Sequence, residues 1–183
     1  MPIFITMKRK NIVIGIIVLL LIGLVIYFLS NQKERTFKRV TLSHNNIITN
    51  KTSKSYLDTL VSEGLDVLGL KGEFVMIKTM DPSLKSSLGS DTELRAYIIG
   101  EHNQYVIYID DLNREESLTI LSHELIHLQQ YSSGRLIKME DHFMMFDGEM
   151  YNVVNIPYKD RPWEIEAFKN ETDLKIKVSE LLF

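Results

Sequence analysis

NREESLTILSHELIHLQQYSSG, residues 113–134, is the stretch from which the rest of the chain is read. Asn113 is followed three residues later by Glu116, the capping-box pairing that satisfies free amides at a helix start. Gly134 suits the helix end. Between them Leu118, Leu121, Leu125 and Leu128 recur at helical spacing and form one apolar stripe. Ile120, His123, His127 and Gln130 form a second stripe about 200° round the helix. The histidines therefore point away from the leucine seam. Four residues apart, they lie one turn apart on the same face, so two imidazole nitrogens can meet at one ion. Glu124 is rotated about 100° from the first histidine and about 60° from the second. It can reach a water at that ion without ligating it. Zinc lowers the pKa of such a water, and a carboxylate in this position takes its proton. The candidate ligands are His123 and His127, and the candidate general base is Glu124.

A catalytic zinc site needs a third protein ligand and one open position. Gln130 and Ser133 stand where the metzincin extension would have Gly and His, which excludes that class. A carboxylate from a later helix is the other zincin solution. Arg161-Pro162-Trp163-Glu164-Ile165-Glu166-Ala167-Phe168 offers two, and they differ by about 200°, so only one can face the metal. Glu164 falls in the first turn, where the helix dipole favours an acid in any case. Glu166 lies deeper and precedes Ala167, a small residue that lets two helices approach. Glu166 is the expected third ligand; Glu164, His142, Glu140 and Asp147 are the alternatives.

HELIH followed by a Glu-Ala pair on a second helix resembles the gluzincin metallopeptidases, the thermolysin-like group. The resemblance covers roughly Tyr105 to Asn170. It implies a zinc cofactor, a peptide or protein substrate and a zincin-like domain. It aligns Glu166-Ala167-Phe168-Lys169-Asn170 with the family's Glu-Ala-x-x-Asp, which gives Asn170 the place of a residue supporting a zinc histidine. It implies that Tyr105–Asp110 is the edge strand that pairs with an extended peptide. It also implies a donor for the oxyanion formed at the scissile carbonyl. Tyr151, Tyr158, Arg161 and His142 are the candidates.

Outward from this core, Tyr56, Leu57, Leu60, Val61, Leu65 and Leu68 predict a helix that ends at Gly69. Phe74–Thr79, Leu94–Ile99 and Tyr105–Asp110 read as strands, with His102-Asn103 in a turn. Arg135–Met139 reads as a strand, and Asp147-Gly148 as the two-residue turn of a hairpin from Phe143 to Asn152. A last helix starts near Pro162. In its distal part Leu174, Ile176 and Val178 alternate like a strand, whereas Leu174, Val178 and Leu181 fit a helix. The fold class is α+β: a small zincin-like domain with the HExxH helix, a mixed or antiparallel sheet and a second ligand helix, over residues 56–183.

The chain ahead of this domain is different. Residues 1–11 are a basic tail. Ile12 to Leu29 is 18 residues without a charge, about 27 Å of helix, close to the thickness of a bilayer core. It reads as a retained transmembrane anchor, since no small-x-small cleavage site follows. Lys8, Arg9 and Lys10 precede it, and Lys33, Arg35, Lys38 and Arg39 follow. Charge thus does not set the orientation; the short head and large tail lean towards an extracytoplasmic body. Residues 30–55 read as a polar stalk with a short strand at Phe37–Leu42. There is no cysteine among the 183 residues, which excludes disulfides, a thiol nucleophile and thiolate metal sites. All 24 acids and 18 of the 21 bases follow Ser30, leaving that part at −6. This excludes a nucleic-acid binder held by phosphate contacts.

The expected function is zinc-dependent hydrolysis of peptide bonds at a membrane. The alternative is a non-catalytic, membrane-tethered binding module with a structural zinc site, closed by a fourth ligand such as His142.

Overall fold

The computed structural model describes residues 40–182 apart from His44 and residues 88–93. The chain divides into units 1–38 and 39–183, and the described residues belong to the second. The apolar run 12–29 lies outside them. Among the described residues no helix is long and apolar enough to cross a membrane.

The architecture is mixed α+β, with two sheets and helices packed on the larger. In chain order the elements are β1 (Val40–Ser43), β2 (Asn46–Asn50), α1 (Tyr56–Val67), β3 (Phe74–Thr79), the short α2 (Pro82–Ser87), β4 (Ala96–Glu101) and β5 (Gln104–Ile109). Then come α3 (Arg114–Ser132), β6 (Leu136–Lys138), β7 (Phe143–Phe146), β8 (Glu149–Asn152), a 3₁₀ turn (Tyr158–Asp160) and α4 (Pro162–Leu182). The larger sheet runs β1-β2-β3-β5-β4. β2, β3 and β5 are parallel; β1 and β4 are antiparallel to their neighbours. The smaller sheet is the antiparallel meander β6-β7-β8.

The strands alternate. Ile48, Val75, Ile77, Ile98, Tyr105, Ile107 and Ile109 are buried on one face of the larger sheet. Against that face pack Leu57, Leu60, Val61 and Leu65 of α1 and Leu118, Leu121, Leu125 and Leu128 of α3. Ala167, Leu174 and Val178 of α4 close the same core. The ambiguous distal segment is thus helical: Leu174 and Val178 are buried, while Ile176, off their stripe, is 51% exposed. α1 meets α3 at Gly64, where an added Cβ would lie 2.3 Å from Leu125 Cδ1. His102-Asn103 and Asp147-Gly148 both have positive φ, the two-residue turns that match strand twist.

Two sequence expectations change. Residues 40–50, assigned to a stalk, form a strand pair within the sheet. The polar composition of β2 misleads because Asn46 and Asn50 are buried as loop clasps. Asn46 donates to the Leu70 carbonyl and accepts from the Glu73 amide, while Asn50 donates to the Lys54 carbonyl and accepts from the Thr52 amide. And β5, expected at the edge, is flanked by β3 and β4; among the described residues the edge strands are β1 and β4.

Candidate metal centre

Two helices build the site. α3 begins as its sequence dictates: Asn113 Oδ1 accepts from the Glu116 amide at 2.9 Å, and Glu116 accepts from the Asn113 amide at 3.2 Å. The helix is buried on two sides. Its leucines face the sheet and α1, and His123, Glu124 and His127 are buried towards β4 and α4. α4 starts at Pro162 and lays its first turn across the histidines.

His123 Nε2 and His127 Nε2 are 3.1 Å apart, and each lies 3.2 Å from Glu164 Oε2. All three residues are buried. Outside this centre, His123 Nδ1 donates to Glu171 Oε2 at 2.8 Å, and His127 Nδ1 bonds Gln130 Oε1 at 2.8 Å. With both Nδ1 atoms engaged outward, the two Nε2 atoms and a carboxylate oxygen face one another, a group that a proton or a metal ion between its members would satisfy. Burial opposes charge on the rings, but the surrounding acceptors together outweigh it: Glu164, Glu124 and Glu171 raise His123 above its ordinary value, and Glu164, Glu124 and Gln130 push His127 up to about 9. Burial likewise opposes charge on Glu164, yet the two histidines hold it down to about 2. Two imidazoles and one carboxylate are also a zinc donor set, and ligand bonds of about 2.0–2.1 Å put tetrahedral neighbours roughly 3.3 Å apart. The donor spacing fits that ion.

Glu124 is buried beside the pair. Burial raises its pKa, the two histidines pull it down, Glu164 raises it, and the Ile98 amide, donating to it, lowers it. That amide comes from β4, which has no strand on its outer side among the described residues. Asp110 N donates to the Arg95 carbonyl. By the alternation of an antiparallel ladder, Tyr97 and Ile99 then bond β5, while Ala96, Ile98 and Gly100 turn their backbone groups outward.

The expected third ligand is corrected. Glu166 is turned away from the histidines: Arg135 binds it through two nitrogens at 2.8 and 2.6 Å, and Arg135 also binds both oxygens of Asp147. Glu164 faces the metal centre because it extends the buried stripe of α4. Glu164, Ala167, Glu171, Leu174 and Val178 are spaced three, four, three and four, one face of a helix. Reading that stripe backwards from Val178 selects Glu164 over Glu166 and also finds Glu171.

The other candidates are placed as follows. Asn170 donates to the Glu166 carbonyl within its own helix, so the carboxylate supporting His123 is Glu171 one residue on. His142 and Glu140 are exposed around the positive-φ turn Asp141-His142, between β6 and β7, outside the ligand group. Among the described residues that group has three members. Tyr151 donates to Glu149 at 2.6 Å and meets the Trp163 ring edge-on. Arg161 binds the carbonyls of Ile156 and Val153. Tyr158 does reach the site: its phenol hydrogen-bonds Glu164, and burial followed by the Glu164 charge raises its pKa. Phe168, unremarked in the sequence, packs its ring 4.7 Å from that of His123.

In comparisons with protein families, with curated proteins and with solved structures, nothing matches this chain.

Proposed function

We propose that this protein is a zincin-like, gluzincin-type zinc metallopeptidase that hydrolyses peptide bonds. It is proposed to be held in a membrane by residues 12–29, with its body on the extracytoplasmic side. The observation that carries the catalytic reading is the meeting of His123, His127 and Glu164, with Glu124 beside them and the free edge of β4 alongside.

His123, His127 and Glu164 would hold the ion. When bound, zinc would supply Lewis-acid polarisation and a water acidic enough to attack at neutral pH. An extended peptide adds to β4 through the outward groups of Ala96 and Gly100 and the Ile98 carbonyl, the Ile98 amide staying on Glu124, which lays the peptide backbone past that carboxylate. The Glu124 carboxylate accepts the proton of the attacking water and delivers it to the leaving amine nitrogen. Burial suits this task, because it raises the carboxylate's basicity above that of a solvated acid. Tyr158, whose phenol already sits at Glu164, is the proposed donor to the oxyanion.

Elemental analysis of the purified full-length chain tests the metal. One zinc per chain is expected, lost in His123→Ala and in His127→Ala. A metal-free wild type, prepared without chelators and offered zinc, would end this reading.

A further inference from the structure

Gln130 is 0% exposed, on α3, three residues beyond His127. Its two ends are chemically different, and the surroundings decide which end points where. Nε2 lies 3.0 Å from the Trp163 carbonyl and 3.3 Å from Glu166 Oε1. Both of these groups only accept hydrogen bonds. The amide nitrogen must therefore face them, and Oε1 must face His127 Nδ1, 2.8 Å away. A flipped amide would set its oxygen against a carbonyl and a carboxylate at once. Glu166 is itself fixed by Arg135, which is fixed by Asp147 in the turn between β7 and β8.

A carbonyl oxygen at Nδ1 can only be satisfied by a proton on Nδ1. The lone pair of His127 is then left on Nε2, which points at His123 Nε2 and Glu164 Oε2. We infer that Gln130 is a positioning residue for the metal centre, an amide that fixes the tautomer and the ring plane of His127. Its orientation is set by the chain Asp147–Arg135–Glu166. This rests on the zinc reading above and adds the residue that prepares the second histidine. His123 is prepared differently, by the carboxylate of Glu171.

The test compares wild type with Gln130→Met, which keeps length and removes both acceptor and donor. Zinc affinity is measured on the full-length chain by competition with a chelator, and imidazole protons by ¹H–¹⁵N spectroscopy. Zinc-loaded wild type should show His127 protonated at Nδ1 alone, with slow exchange to solvent. Gln130→Met should bind zinc about 10–100-fold more weakly, the usual effect of losing an outer hydrogen bond to a metal histidine. In that variant the His127 proton should exchange fast, while the His123 proton stays slow and reports an intact neighbour. Equal zinc affinity in Gln130→Met overturns the inference alone. So does a zinc-loaded wild type in which the ring proton of His127 sits on Nε2 instead of Nδ1, a result that needs no folded variant. A wild type that takes up no zinc overturns the metal reading and this inference with it.

Discussion

α3 and α4 contribute to the same site in opposite ways. In α3 the candidate active residues are neighbours in sequence, so the helix repeat fixes their geometry before any packing is known. His123, Glu124 and His127 stand as the spacing requires. In α4 the contribution depends on which face the helix turns to α3, and that is settled by packing along its whole length. Glu164 and Glu166 are equally acidic and two residues apart. One closes the ligand group, and the other braces a hairpin through Arg135. Geometry within an element is local, whereas geometry between elements is a property of the buried stripe.

The largest expected effect lies on α3. Glu124→Gln should retain zinc and lower peptide hydrolysis by roughly 10²–10⁴-fold, the usual worth of a positioned base. A peptide library scored by mass spectrometry supplies the substrate and the rates. Wild-type cleavage by this variant would remove Glu124 from the mechanism. The next experiment sets the two acids of α4 against each other. Glu164→Gln should lose zinc by more than the 10–100-fold of an outer partner, whereas Glu166→Gln should retain it within about that range. The reverse order would mean that α4 meets α3 on its other face. A smaller effect is expected at Glu171. Glu171→Ala leaves His123 Nδ1 without its acceptor and should weaken zinc by about 10–100-fold, with Glu171→Asp intermediate.

The smallest effect concerns the brace. Arg135 holds the carboxyls of Asp147 and Glu166 below their ordinary values. Groups with depressed folded-state values stabilise above the unfolded carboxylate range, near pH 4. That contribution is lost as the pH falls through the depressed values. Trp163, the sole tryptophan, is buried beside Phe146 against this brace. Its emission should be steady at neutral pH and shift red only below about pH 4. In Arg135→Met the red-shifted state should already be present at pH 7. A variant with wild-type emission throughout would show that the brace carries no load.

The legible parts of the molecule share one cause. The capped helix, the hairpin turns and the HExxH face each depend on residues within about one turn or one hairpin of each other. The parts that were misread depend on distant partners. β2 looked like a stalk because Asn46 and Asn50 are buried by loops up to 27 residues away. β5 is placed at an edge only by the resemblance to gluzincins, whereas here β4 folds back along it through the His102-Asn103 turn. Glu171 was passed over because a carboxylate seven residues from Glu164 gains meaning only once α4 is known to continue as a helix to Leu182.

Gly64 gives this site an unusual relation to thermal hardening. Glycine inside a helix costs about 0.5–1 kcal/mol relative to alanine, so Gly64→Ala is the kind of change that a search for a sturdier protein would try first. Here the missing methyl group is a clearance. A Cβ at residue 64 would have to displace the side chain of Leu125, which follows Glu124 directly on α3. That leucine is buried in the core between α1 and the sheet, so the helix preference gained by alanine is set against repacking Leu125. Gains in heat resistance are better sought on surfaces that do not touch α3.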